Sequence, residues 1–407
     1  MKTGILGGSF DPIHNGHLAL AGEFTRRLSL DRLLLIPTLA PPHKSRPDMA
    51  DAGHRLAMCR LAAERLERVT VSDIEIRRGS VSYTIKTLEQ LREEYPDDEL
   101  FLIVGADMFL SFKSWYRYRD ILKMAVICAA PRQVEESEIK DQHSEFKAGY
   151  RTTLEKFASI LKRDGGRCRI EDIPLTRVSS TEIRERYMNG ETSGGLLPAE
   201  VDAYIRQNRL YGSFPLSDQP YIDAVRARNR PHRFFHSLCV AREAERLAAK
   251  YRANPEKARI AGLLHDITKD QSAELSAEKQ LQLIQKFDIL NDSDLTIYQT
   301  QSKLLHAPVG AACARQLFGI TDPEILLPIR YHTTARAGMS LQEKILYLAD
   351  FTSADRDYPD VDEMRRRTEI SISGAMEYAL AYTINELNEK NMTIHPDTLA
   401  AYAEVIK

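Results

Sequence analysis

Apolar residues gather in short solid runs through the first half of the chain and recur at helical spacing through the second. The runs TGILGG (3–8), RLLLIP (32–37), LFLIVGAD (100–107) and MAVICAAP (124–131) read as strands buried on both faces, each stopped by glycine, proline or a charge. CRIEDIP (168–174) is a weaker strand. Between these runs, helical spacing appears over 16–29, 53–66, 84–95, 150–163 and 180–189. Strands alternating with helices predict a parallel sheet covered on both faces, with ligands at the carboxyl ends of the strands.

The pattern changes after NRLYGSFPLSDQP (208–220), where Gly212, Pro215 and Pro220 punctuate a polar link. Beyond Tyr221 strand-like runs cease, and helical spacing recurs over 236–251, 256–268, 274–287, 305–318, 322–331, 341–351 and 374–389. The chain therefore predicts an α/β domain over 1–212, a linker at 213–219 and an all-helical domain over 220–407. A chain of 407 residues suits two cores better than one.

Composition narrows the partners. Charged residues make up 28% and the formal net charge is −2, so no basic field points to nucleic acid. No apolar run approaches the ~20 residues of a membrane span, and the start MKTGILGGSF lacks a signal-peptide core. Cys59, Cys128, Cys168, Cys239 and Cys313 are scattered without a C-x-x-C pair, which suits a reducing cytoplasm. Small-molecule partners are expected, and a homo-oligomer is left open.

One stretch of the first half carries chemistry. In GGSFDPIHNGHL (7–18), Gly7 and Gly8 follow a strand and let the backbone approach a ligand, and a helix starts near Gly16. His14 and His17 flank that helix start, where imidazoles can donate hydrogen bonds to phosphoryl oxygens as charge builds. The stretch resembles the signature of the H-x-G-H nucleotidyltransferase superfamily, closest to bacterial nicotinate-nucleotide adenylyltransferase. PPHK (41–44), GHRLAM (53–58), SYTIKTL (82–88), FLIVGADMFLSFKSWYR (101–117) and VSSTEIRERYMNG (178–190) extend the resemblance in order across residues 1–212.

The resemblance implies a Rossmann-like fold and transfer of AMP from ATP, with Mg2+, to nicotinate mononucleotide. The products would be nicotinate adenine dinucleotide, a precursor of NAD, and pyrophosphate. It implies that His14, His17 and Lys44 stabilise the transferring phosphate, and that Gly7, Gly8, Ser9, Phe10 and Gly16 line the ATP site. It places Asp107 on the ribose or metal side, and Ser179 or Ser180 as the cap of a helix that holds the outer phosphates with Thr181 and Arg184. Trp115 would stack on the pyridine, with Tyr83 and Thr84 recognising its carboxylate. Ser80, Val81 and Lys86 depart from the residues usual in that family. The rival reading for this half is an adenylyltransferase for the nicotinamide mononucleotide.

The helical half holds HRFFHSLCVA (232–241), AGLLHDITKD (261–270), LLHAPVGA (304–311), IRYHTTARAGMS (329–340) and EKILYLADFTSADR (343–356). His236, His265, Asp266, His306, His332 and Asp350 fall at or near the ends of different helices, so a bundle can converge them as metal ligands. Burying so many ionisable groups is unfavourable unless they pair or bind metal. Imidazole with carboxylate suits Fe, Mn or Zn better than Mg or Ca. These motifs resemble the HD-domain metal phosphohydrolases, and HTT-R-GM followed by EKI-YLAD resembles the bacterial symmetrical bis(5′-nucleosyl)-tetraphosphatases. That resemblance implies two divalent or mixed-valent ions, iron first among them, and cleavage of diadenosine tetraphosphate to two ADP. Lys269 and Arg336 would neutralise the polyphosphate, and Thr333 and Thr334 would hydrogen-bond it. Ala335 stands where the family usually has glycine, and ADFTSA (349–354) where it has ADYIEP. Other readings for this half are hydrolysis of another nucleotide or phosphate ester, or a nucleotide-sensing regulatory module.

Overall fold

The computed structural model describes residues 1–39, 49–131, 143–173, 178–270, 277–287 and 301–407, which fall into two compact units, Met1–Phe214 and Pro215–Lys407. The first unit contains one six-stranded sheet: β1 (Lys2–Gly8), β2 (Arg32–Pro37), β3 (Val69–Val71), β4 (Glu99–Gly105), β5 (Ala125–Ala130) and β6 (Arg167–Ile170). All five pairings are parallel, in the order β3-β2-β1-β4-β5-β6. The order reverses between β1 and β4, and a crevice is expected at the carboxyl ends of that pair.

The solid apolar runs have a direct cause. Successive strand side chains point to opposite faces, and both faces of this sheet are covered. Leu6, Leu33, Leu35, Phe101, Ile103, Val126 and Cys128 join one core, with the helices Asn15–Arg27, Ala52–Ala63, Ser180–Met188 and Ala199–Gln207. Ile5, Leu34, Ile36, Leu100, Leu102, Val104 and Ile127 join the other, with Thr84–Glu94 and Tyr118–Met124. The Rossmann-like expectation is met.

Two sequence boundaries need correction. The run expected to be strand as far as Asp107 stops at Gly105, and Ala106–Leu110 is a short helix. Asp107 therefore stands in a first helical turn, where the helix dipole favours a carboxylate. The strand expected over 168–174 ends at Ile170. β3 and the helices Tyr118–Met124, Ala199–Gln207, Val361–Ile370 and Pro396–Val405 were not anticipated.

The described residues of the second unit form helices joined by loops, with no strand among them. The helix Pro255–Leu264 lies tightly on Pro231–Lys250: a Cβ added to Gly262 would stand 2.6 Å from the Ala241 Cα. Only glycine permits that approach. The close packing carries His265 and Asp266, which follow Leu264, toward His236 on the facing helix. The helices His306–Phe318, Pro323–Tyr331 and Leu341–Thr352 complete the layer around them.

Candidate functional site

In the first unit the site forms where β1 turns into the helix Asn15–Arg27. A Cβ on Gly8 would meet the Phe10 ring at 3.1 Å, whereas nothing lies nearer than 3.9 Å to one on Gly7. Phe10 is buried with φ 46°, a backbone region that non-glycine residues enter only when their surroundings hold them. Arg55 supplies that hold. Its buried guanidinium donates to the carbonyls of Ser9 (2.8 Å), Thr38 (2.6 Å), Leu39 (3.1 Å) and Ala50 (2.9 Å).

His14 caps the helix. The His17 N–H donates to His14 Nδ1 and the His14 N–H to His17 Nδ1, both at 3.3 Å, and the rings stack with centroids 3.6 Å apart. Each Nδ1 is thus an acceptor, which leaves the proton of a neutral ring on Nε2. Burial pulls the His14 pKa down to about 4 and the His17 pKa well below its usual value. At neutral pH the pair presents two uncharged Nε2–H donors. Gly16 lies in the first turn, which contains no acidic residue.

The second expected phosphate helix is tied to this turn. Ser179 caps Ser180–Met188, its Oγ accepting from the Glu182 N–H at 3.0 Å. Ser180 Oγ donates to the Pro12 carbonyl (2.9 Å), and Arg184 donates to the Asp11 carbonyl (2.6 Å) and to Thr181 Oγ1 (3.1 Å). Asp11 also accepts from Tyr211 (2.7 Å) and from the Ala50 N–H (3.1 Å). Lys44 lies outside the described residues.

Thr84 opens the helix Thr84–Glu94, whose first turn carries neither an acid nor a side-chain cap. Such a start favours an anion. Tyr83 lies against Tyr116, centroids 5.0 Å apart, while Trp115 is half-buried against Phe112 at 4.9 Å. Tyr116 was absent from the sequence expectation.

In the second unit all six expected ligands come together. His236, His265 and Asp266 form one set and Asp266, His306 and His332 another, with ligand atoms within 4.8 Å of one another in each. Asp350 Oδ1 lies 3.0 Å from His236 Nε2. Three rings donate Nδ1–H to the carbonyl three residues back: His265 to Gly262 (2.7 Å), His306 to Lys303 (2.6 Å) and His332 to Ile329 (2.7 Å). Those bonds leave Nε2 as the lone-pair atom of each neutral ring.

A metal fits this donor set. His306 Nε2 and His332 Nε2 face each other at 3.1 Å, and two nitrogens bound at right angles about 2.1 Å from one ion would stand about 3.0 Å apart. Asp266 Oδ1 is 3.3 and 3.4 Å from the same two nitrogens, and the buried His265 Nε2 has no hydrogen-bond partner. Burial opposes the ionisation of Asp266, but His265 and Lys269 outweigh it and hold the carboxyl well below the usual range. Burial pushes His265 down to about 3. Burial would lower His236 as well, yet Asp350 and Asp355 on its two nitrogens raise it to about 9.

The cations around this cluster differ in part from those expected. Lys269 Nζ is 3.1 Å from Asp266 Oδ2, as a residue at the cluster's edge should be. Arg336 is instead forked onto buried Glu343 at 2.6 and 2.9 Å, and the Thr334 hydroxyl donates to the Ala335 carbonyl at 3.0 Å. Thr333 Oγ1 is buried without a hydrogen-bond partner. Arg233, 3.0 Å from Asp266 Oδ2, and Arg356, on Asp350 and His236, stand beside the ligands. Both were missed, as was Asp355: Arg233 lies in HRFFHSLCVA (232–241) and the other two in EKILYLADFTSADR (343–356), and only His236 and Asp350 were singled out in those stretches.

The cytidylyltransferase-like family model matches residues 5–186 and the HD domain model residues 233–355. The "Probable nicotinate-nucleotide adenylyltransferase" of Shewanella baltica (strain OS223) is 39% identical over 216 residues, covering 52% of this chain and 99% of that one. Its counterpart from Geotalea daltonii is 37% identical over 220 residues, covering 52% and 98%. A solved structure from Clostridium acetobutylicum, described as a predicted HD superfamily hydrolase involved in NAD metabolism, is 34% identical with a TM-score of 0.42, covering 46% of this chain and 95% of that one. No helix among the described residues is long and apolar enough to cross a membrane.

Proposed function

The chain belongs to the nicotinate-nucleotide adenylyltransferase family through its first half and carries an HD domain in its second, and on that premise we propose a bifunctional enzyme. The first unit transfers AMP from ATP to nicotinate mononucleotide. A phosphate oxygen of the mononucleotide attacks the α-phosphorus, the bond to the bridging oxygen of the β-phosphate breaks, and pyrophosphate leaves. The observation that carries this reading is the reciprocal cap of His14 and His17, which fixes two neutral Nε2–H donors at a helix start free of acids. Such donors stabilise charge growing on the transferring phosphoryl group without reorganising. Lys44 adds a cation there, with Mg2+ on the polyphosphate. Ser180, Thr181 and Arg184 receive the leaving pyrophosphate at the second helix. The uncapped start at Thr84 favours the acid over the amide substrate, with Tyr83, Trp115 and Tyr116 around the pyridine.

We propose that the second unit hydrolyses a dinucleoside tetraphosphate symmetrically: water attacks one of the two central phosphorus atoms, its bond to the central bridging oxygen breaks, one nucleoside diphosphate leaves with that oxygen and the other keeps the oxygen of the water. His236, His265, Asp266, His306, His332 and Asp350 would hold two ions, iron the expected metal. Bound ions would supply Lewis acidity that makes water a nucleophile near neutral pH. Lys269, Arg233 and Arg356 would orient and neutralise the phosphates. The buried, tautomer-fixed donor set supports a hydrolase over a sensing module, which has no use for it.

The test uses the full chain and its His265→Ala variant with diadenosine tetraphosphate, and separately with ATP and either mononucleotide. ADP as sole product, lost in the variant while nicotinate transfer persists, supports both assignments. Phosphate release from other esters but not from this substrate would redirect the second.

A further inference from the structure

The four histidines of the HD centre are not held alike. His265, His306 and His332 each donate Nδ1–H to a backbone carbonyl three residues back. His236 stands inside the helix Pro231–Lys250, where the carbonyls of the preceding turn already serve the helix, and its ring reaches across to a side chain. Its Nδ1 lies 2.8 Å from Asp355 Oδ2, and the other carboxylate oxygen is fixed by Ser353 Oγ at 2.8 Å. A carboxylate behind a ligating imidazole fixes the tautomer and ring orientation and makes the ligand a stronger donor. A peptide carbonyl does the first two with less charge.

We propose that Asp355 is a positioning residue that makes the two halves of the metal centre unequal, strengthening the half built from His236, His265 and Asp266 over the half built from Asp266, His306 and His332. The inference rests on the metal-centre reading above. It assigns a role to a residue five positions beyond the last expected ligand, directly after the segment where the chain departs from its resemblance.

Co2+ is the probe. The full chain, stripped with a chelator, is titrated by calorimetry while the visible absorption of the bound ion is followed, and His236→Ala identifies which event belongs to its half. Wild type should show two events. Asp355→Ala should weaken the His236 event by about 10–100-fold, shift its absorption and leave the other event within about twofold. Asp355→Asn keeps an oxygen acceptor without the charge, and should lose less. Equal weakening of both events, or no change in either variant, overturns the proposal. A wild-type chain that binds no Co2+ fells the metal-centre reading itself, and this inference with it.

Discussion

Two histidines three apart cap a helix and, in capping it, fix each other's protons. Because their Nδ1 atoms are occupied by backbone N–H groups, His14 and His17 are donors on one side only. His17→Ala should lower kcat for nicotinate adenylyl transfer by about 100–1,000-fold and leave KM within a few-fold, since the donors act as charge develops. Steady-state kinetics with both substrates varied would check this. The same burial sets a pH signature. His14 has a folded pKa of about 4 against an unfolded 6.5, so between those values the unfolded chain binds more protons and stability falls as pH falls. Above 6.5 the contribution is flat. Between pH 7 and 5 the first unit should lose about 2 kcal/mol through this residue, with His17 adding in the same sense. Denaturant unfolding followed by fluorescence of Trp115, the chain's one tryptophan, reports this unit, and His14→Gln should shrink the pH dependence. The histidines of the first turn and the clustered histidines and aspartates of the second unit were legible, because H-x-G-H and H-D are local words. Arg55 and Asp355 were not, because their partners are remote carbonyls and a ring 119 residues away.

Among elements, the sites depend on how closely helices approach and how sharply they end. Gly262→Ala would drive a methyl to 2.6 Å from the Ala241 Cα, which is backbone and cannot swing aside. The helices must part, costing about 1–3 kcal/mol of the second unit's stability. Since Gly262 also accepts from His265 Nδ1, the variant should weaken metal binding even where it folds, as metal titration beside thermal melting would show. Ala335 is the opposite case. It follows the helix Pro323–Tyr331 with φ 57° and is fully buried, a conformation that glycine adopts without strain. Ala335→Gly should stabilise the unit by about 0.5–1 kcal/mol in denaturant unfolding, whereas Ala335→Val should destabilise it. Long apolar runs and strongly periodic helices were legible because both faces of the sheet and the inner faces of the bundle are buried. β3 is three residues long, too short to show a period. Val361–Ile370 reads VDEMRRRTEI, whose one buried stripe of Val361, Met364 and Thr368 is masked by charges paired on its surface.

At the scale of the molecule, the two units present different donor sets, and the proposed reading gives them different metals. In the first unit the groups proposed to meet phosphate are N–H donors and a cation: His14, His17, Arg184 and the helix starts. On the proposed reading a metal there would belong to the nucleotide, and Mg2+, which keeps its waters and binds phosphate oxygens, would be sufficient. In the second unit four imidazoles converge with two carboxylates in a buried cluster, with Nε2 of His265, His306 and His332 left bare by Nδ1–H bonds to backbone. Nitrogen-rich sites select transition ions over Mg2+. A chain stripped by chelation and returned to Mg2+ alone should therefore recover nicotinate adenylyl transfer and remain without phosphohydrolase activity. Adding Mn2+, Co2+ or, without oxygen, Fe2+ should restore hydrolysis and leave transfer unchanged. Parallel assays of pyrophosphate and ADP release on one preparation separate the two responses. Recovery of both activities by Mg2+ alone would mean that the imidazole cluster does not choose the hydrolytic metal, and would break the link between that cluster and the second reaction.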